Sequence, residues 1–155
     1  MSIVAFQLSQ MAAGWPVQGR GGGFLPEGQA SIEAGGVEPL ALFEHHVFVC
    51  QNVRPEGAPR PSCTQDGKGE LLPALQQFMK AAGIQTPVRI NKAGCLDQCE
   101  HGPTVVVYPE AVWYGHVKPE DAEEIVREHL VGGRPVERLR LAEACINTKS
   151  CPHRG

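Results

Sequence analysis

The chain has 155 residues, 42% hydrophobic and 20% charged, a composition that suits one folded domain with some irregular sequence beside it. Its formal charge of −3 excludes a strongly basic nucleic-acid binder or a polybasic membrane anchor, and no apolar run approaches the ~18 residues of a membrane span. Eighteen glycines and thirteen prolines exceed the usual share of roughly an eighth and predict long irregular segments, while six cysteines and six histidines are the chemically informative excess.

Residues 1–42 hold eight of the glycines, no cysteine, and the run Gly19-Arg20-Gly21-Gly22-Gly23, which sustains neither helix nor strand. They read as a flexible N-terminal arm, in which Ile3 to Met11 has the composition of a short element. No Lys or Arg precedes an apolar core there, unlike a secretory signal, so a reducing, cytoplasmic setting is expected. Phe43 to Cys50 is β-branched and aromatic and predicts a strand. Residues 51–69, with Pro55, Gly57, Pro59, Pro61, Gly67 and Gly69, predict a long loop. Leu71, Leu75, Phe78 and Ala82 then fall on one helical face, which Gly83 ends. Val88 to Lys92, Thr104 to Tyr108 and Ala111 to Val117 predict three further strands, the last two joined as a hairpin through Pro109-Glu110. Pro119 opens a second helix whose first turn is rich in acid (Glu120, Asp121, Glu123, Glu124). Ala122, Ile125, Val126, His129 and Leu130 are its buried stripe, and Gly132-Gly133 stop it. Residues 134–155 form a basic C-terminal tail, with five Arg/Lys against two Glu.

Strand, helix, strand, then hairpin and helix is an α/β order. The strand–helix–strand unit calls for a parallel pair with a right-handed crossover. Adding the hairpin predicts a mixed four-stranded sheet with two main helices over residues 43–133, a two-layer thioredoxin-like plan.

Four cysteines lie in that zone with the spacing C-x12-C-x31-C-x3-C. Cys50 ends the first strand, Cys63 sits in the Pro-rich loop, and Cys95 and Cys99 share the loop after the second strand. The C-terminal ends of parallel strands are neighbours, so all four thiols can meet at one edge of the sheet. Four convergent thiolates in a reducing compartment mean an all-cysteine metal site, with zinc and iron–sulfur as the candidates. Zinc favours tight C-x2–4-C pairs, which Cys95–Cys99 satisfies and Cys50–Cys63 does not. A dithiol mechanism is weaker still, because no C-x-x-C follows the first strand.

The stretch from His46 to about Leu130 contains HHVFVCQNVRPEG, RPSCTQDG and AGCLDQCEHGPTVVVYPEAVWYGHV. In these motifs it resembles the thioredoxin-like 2Fe–2S ferredoxins of the Shethna protein I type. The small iron–sulfur subunit of NADH dehydrogenases shares the distal C-x3-C but has a much shorter first interval. The resemblance implies one 2Fe–2S cluster per chain, with Cys50 and Cys63 as ligands of one iron and Cys95 and Cys99 of the other. It implies a one-electron carrier rather than an enzyme, working between a reductase and an acceptor enzyme, and a homodimer. Alternatives are a 2Fe–2S subunit or accessory domain of a larger oxidoreductase, and a structural zinc interaction module. Gly94 and Gly102 would permit close backbone approach to the cluster, and Arg54 and Arg60 either moderate its negative charge or stand as solvated loop residues.

Outside these motifs the chemical signals are weaker. Cys145, Cys151 and His153 supply only three ligands on no evident scaffold, so free thiols or an adventitious disulfide are expected. His45 and His46 adjoin a strand and point to opposite faces, His116 is not needed beside four cysteines, and His101 stands two positions after Cys99, within reach of a cluster. Tyr108, Trp113 and Tyr114 sit on the hairpin, where in an isolated domain they would be core and surface aromatics, and the dimer interface is expected to use part of that hairpin. No catalytic nucleophile–base arrangement appears, and Gly19 to Gly23 is not a phosphate-binding loop, since no G-K-[ST] follows. Residues 43–133 carry twelve acids against eight Lys/Arg, which suits docking to a basic patch on a redox partner.

Overall fold

Alternation of apolar residues organises the sheet. In strand β1, His45–Cys50, Val47 and Val49 are fully buried while His46 and Phe48 are half-buried, the period of two expected where only one face is covered. The computed structural model describes residues 42–64, 69–83 and 87–154, so the arm and its Ile3–Met11 element lie outside the described residues. Strands β2 (Val88–Ala93), β3 (Val105–Tyr108) and β4 (Val112–Tyr114) complete a sheet of order β2-β1-β3-β4. β1 and β2 are parallel, and the other two pairings are antiparallel. This is the mixed four-stranded sheet that the element order predicts.

Register sorts the faces. Val47, Val107 and Val112 stand opposite one another, as do Val49, Val105 and Tyr114, and all six are buried. The row Phe48, Val106 and Trp113 belongs to the other face.

Helix α1, Leu71–Ala81, buries Leu71, Ala74, Leu75 and Phe78, and ends where Gly83 takes φ +58°, a left-handed turn that glycine adopts without a steric penalty. Helix α2 begins as a 3-10 turn at Pro119–Asp121, passes through Ala122–Glu124, and continues as a π-helix over Ile125–Val131. Its stripe is buried as the periodicity predicts. The wide final turn closes with the Gly132 N–H donating to the Arg127 carbonyl at 3.1 Å. A Cβ at Gly132 would lie 2.6 Å from the Glu128 carbonyl oxygen, so the residue that stops the helix is also the one its wide turn requires.

This turn carries His129 beneath the sheet, where Tyr114 Oη lies 2.8 Å from His129 Nδ1 and accepts the Val136 N–H at 3.1 Å. Burial pushes the Tyr114 hydroxyl up to about 12 and pulls the His129 imidazole down, so Tyr114 stays protonated and donates to a neutral ring. The hydroxyl thereby joins β4, α2 and the segment that follows.

β4 is shorter than the Ala111–Val117 strand the sequence predicts. Ala111 and His116 both take positive φ, and a Cβ at Gly115 would meet Leu141 at 2.4 Å and the His101 carbonyl at 3.0 Å. The chain turns away there to receive its own C-terminal segment. The Gly115 N–H donates to Leu139 O at 2.9 Å and the Leu141 N–H to Trp113 O at 2.8 Å, around a bridge between Tyr114 and Arg140. A free sheet edge is thereby covered. Leu141 packs on Trp113 and Val106, with Phe48, Leu96 and Ile146 around them. Trp113 and Tyr114 are buried within the chain, and Tyr108 is the hairpin aromatic that stays exposed.

The basic charges of this segment are also used internally. Arg138 pairs with Asp121 at 2.6 Å and with Glu124, Arg134 with Glu128 at 2.7 Å, and Arg154 with Asp97 at 2.7 Å. The acid-rich start of α2 therefore meets the arginines that follow it. No described helix is long and apolar enough to cross a membrane.

Candidate metal centre

The parallel pairing of β1 with β2 builds the site. Cys50, the last residue of β1, stands opposite Ala93, and the Gln51 N–H donates to Ala93 O at 3.0 Å. Cys50 therefore leaves the sheet at the same edge as the loop carrying Cys95 and Cys99. The Pro-rich loop folds back on itself, with the Cys63 N–H donating to Asn52 O at 3.1 Å and the Arg54 N–H to Ser62 Oγ at 2.8 Å. Those two bonds bring Cys63 beside Cys50, near enough that each thiol shifts the titration of the other. Cys99 opens the 3-10 turn Cys99–His101, with its sulfur 3.6 Å from that of Cys95.

The four thiols stand as two pairs. A single tetrahedral zinc with Zn–S near 2.3 Å would set every S···S distance at about 3.8 Å. Among the described residues, the only group of three or more such donors mutually within 4.8 Å lies elsewhere, between His101 and the C-terminal segment. Two pairs side by side suit two metal ions, each taking one pair. Gly102 makes the close fit possible, since a Cβ there would lie 2.9 Å from the Cys63 sulfur. Gly94 has open space around the position of a Cβ.

Donors surround the sulfurs. Arg54 Nη2 donates to Cys99 Sγ at 3.1 Å and to Cys95 Sγ at 3.4 Å, and the Asp97 N–H donates to Cys95 Sγ at 3.4 Å. Its bond to Cys99 raises the Arg54 pKa, and its buried Nε has no partner in the protein. Cys50 is pulled down, first by the hydrogen bond from Cys63 and then by the backbone of Asn52 and Leu96. Cys63 is pushed up by the same shared proton and by burial, and Cys99 chiefly by burial. Thiolates in such a setting call for cationic partners.

Arg60 acts on Cys99 through its charge, as expected of it, and it also makes direct bonds to carboxylates. Its Nε and Nη2 grip Glu100 at 2.7 and 2.9 Å, and its Nη1 meets Asp97 at 2.5 Å. The pairing holds both carboxyls below the usual range and ties the Pro-rich loop to the Cys95–Cys99 loop. Cys50, Cys63 and Cys99 are buried and Cys95 is exposed, so the site reaches the surface through one sulfur.

His101 is buried, with its Nε2 3.3 Å from Cys151 Sγ. The C-terminal segment thus supplies a partner that the sequence, read locally, could not reveal. His45 pairs with Glu110 at 3.3 Å, and His46 lies between Phe43 and Phe48, both being ordinary strand surroundings.

No protein-family model matches the chain. A 2Fe–2S ferredoxin from Aquifex aeolicus (strain VF5) is 48% identical over 105 residues, spanning 67% of this chain and 94% of that protein. A 2Fe–2S ferredoxin from Clostridium pasteurianum is 38% identical over 98 residues, spanning 63% of this chain and 96% of that one. Among solved structures, the wild-type thioredoxin-like [2Fe–2S] ferredoxin from Aquifex aeolicus is 47% identical and superposes with a TM-score of 0.60, covering 66% of this chain and all of that one.

Proposed function

We infer the function from one premise: the chain belongs to the thioredoxin-like 2Fe–2S ferredoxins. It is a one-electron carrier with a single 2Fe–2S cluster per chain. The chemistry that cluster supplies when bound is the reversible uptake of one electron by two sulfide-bridged irons. We assign Cys50 and Cys63 to one iron and Cys95 and Cys99 to the other. The observation that carries this assignment is the division of the four thiols into two pairs at one edge of the sheet, within reach of donors.

The protein's own residues hold and tune. Arg54 sets a cation against the sulfurs of the second pair, where it favours the more negative, reduced charge state. Arg60, Glu100 and Asp97 fix the two cysteine loops against each other. Cys95, the exposed sulfur, is the point nearest a docked partner. Replacing each of the four cysteines by alanine, one at a time, is expected to abolish the full complement of iron and sulfide. Full retention of both in any one variant would remove that residue from the ligand set.

We further propose that the chain passes electrons between a reductase and an acceptor enzyme in a reducing cytoplasm, transforming no substrate itself and having proteins rather than nucleic acid or membrane as partners. Residues 43–133 serve as the cluster domain, against which the basic C-terminal segment packs. The twelve acids against eight Lys/Arg in residues 43–133 are partly offset by the arginines that follow, and the acidic excess that remains favours a basic docking patch on the partner. Electron transfer to the partner should slow as ionic strength rises, and a salt-independent rate would remove this docking argument.

The homodimer uses the part of the open sheet face left by the C-terminal segment. There Phe43, His46, Phe48 and Tyr108 form an aromatic strip, with Phe48 and Tyr108 ring centroids 6.2 Å apart. Sedimentation at micromolar concentration should give two chains, and a Tyr108→Glu variant one. A parent protein sedimenting as a single chain would contradict the dimer.

A further inference from the structure

Four side chains with no part in the cluster site converge on a second point. His101 comes from the turn after Cys99, and Cys145, Cys151 and His153 come from the C-terminal segment, with their ligating atoms all within 4.8 Å of one another. His101 Nε2 lies 3.3 Å from Cys151 Sγ, and His153 Nδ1 lies 3.7 Å from both Cys145 Sγ and Cys151 Sγ. A tetrahedral zinc with Zn–S near 2.3 Å and Zn–N of about 2.0–2.1 Å sets S···N edges of about 3.6 Å. The three observed S···N distances straddle that value.

We propose that His101, Cys145, Cys151 and His153 form a second metal centre, a Cys2His2 site for one zinc ion per chain. A disulfide between Cys145 and Cys151 would account for two of the four groups and leave the convergence of both imidazoles unexplained. A two-iron cluster with mixed ligands would place the histidines on one iron and the cysteines on the other. Here Cys151 is close to both histidines, the arrangement around a single ion.

The surroundings hold the ligands in place. Cys145 closes the 3-10 turn Glu143–Cys145, with its N–H donating to Ala142 O at 2.8 Å. The Arg154 N–H donates to Cys151 O at 3.0 Å, while its guanidinium reaches Thr148 O at 3.0 Å and Asp97 Oδ2 at 2.7 Å. Gln98 Nε2 donates to Asn147 Oδ1 at 3.1 Å. The backbone of His101 is fixed on both sides, its N–H by Gln98 O at 3.0 Å and its carbonyl by the His116 N–H at 2.7 Å. Three of the ligands are buried and His153 is exposed, which leaves the ion a way in.

A zinc ion here would clasp the C-terminal segment to the turn that begins at Cys99. The segment on which the sequence shows no scaffold for a metal site therefore gains both a fourth ligand and a frame from the folded domain.

The test uses the full-length protein, purified anaerobically with its iron and sulfide, mixed with Zn2+ and desalted. The expected result is one zinc per chain in addition to the iron, with zinc-edge X-ray absorption giving two sulfurs near 2.3 Å and two nitrogens at about 2.0–2.1 Å. The Cys145→Ser/Cys151→Ser double variant should lose the zinc and keep the iron and sulfide of the parent. His153→Ala, at an exposed position, should weaken zinc binding by at least about tenfold with the iron unchanged. Three results would overturn the site: no stoichiometric zinc in the parent, zinc retained by the double variant, or Cys145 and Cys151 found joined as a disulfide in the anaerobic parent. Iron and zinc are counted separately, so a failure of this site is distinguishable from a failure of the cluster reading.

Discussion

Arg54 and Arg60 leave the same Pro-rich loop six positions apart, yet one meets sulfur and the other meets carboxylate. Their presence between Cys50 and Cys63 is legible in the sequence, but their division of labour is not. It depends on Asp97 and Glu100, which the fold brings up from the other cysteine loop to take Arg60. The turn closed by Ser62 Oγ leaves Arg54 beside the thiols. Arg54→Ala is therefore expected to lower the midpoint potential by roughly 20–60 mV, the scale of a partly screened hydrogen-bonded charge on a one-electron couple. Arg60→Ala should lower the midpoint by less, since Asp97 and Glu100 compensate its charge, and should loosen the loops, hastening loss of iron. Spectroelectrochemical titration of both variants checks this, and an unshifted Arg54→Ala midpoint would contradict the tuning role.

At the scale of elements, the helices and strands follow from local periodicity, and their ends do not. The stripe of α2 is readable because positions three and four apart share a face. The termination of β4 at Tyr114 depends on Leu139 and Leu141, far along the chain, whose backbone pairs with it on either side. Nothing in a run such as VWYGHV announces that partner, so the sequence extends the strand to Val117 while the structure turns it at Gly115. The same segment covers Trp113, whose place in the core is legible and whose partner Leu141 is not. Leu141→Ala is expected to destabilise the fold by about 2–3 kcal/mol, through lost burial and the cavity left over Trp113. Anaerobic urea unfolding should show a lower midpoint and a red-shifted tryptophan emission. An unchanged midpoint would mean that the segment contributes little to the packing.

For the molecule as a whole, the four-cysteine spacing is the most informative signal, because it records the topology as well as the chemistry. A long first interval crosses the Pro-rich loop, and a C-x3-C follows the strand parallel to the first. The register of Cys50 with Ala93 then brings the two halves to one edge. The grouping at His101 is hidden for the opposite reason. Its ligands come from one turn inside the domain and from a tail that reads as unscaffolded, and only the packed chain joins them.

The account rests on two irons held by two pairs of thiolates and exchanging one electron. The most direct measurement is a visible and EPR spectrum of anaerobically purified protein before and after dithionite, with iron and acid-labile sulfide assayed on the same sample. The account predicts a red-brown protein with two irons and two sulfides per chain, bleaching on reduction to a rhombic S = 1/2 signal that integrates to one spin. A colourless protein that fails to take up iron and sulfide on anaerobic reconstitution, and binds zinc at Cys50, Cys63, Cys95 and Cys99 instead, would contradict it.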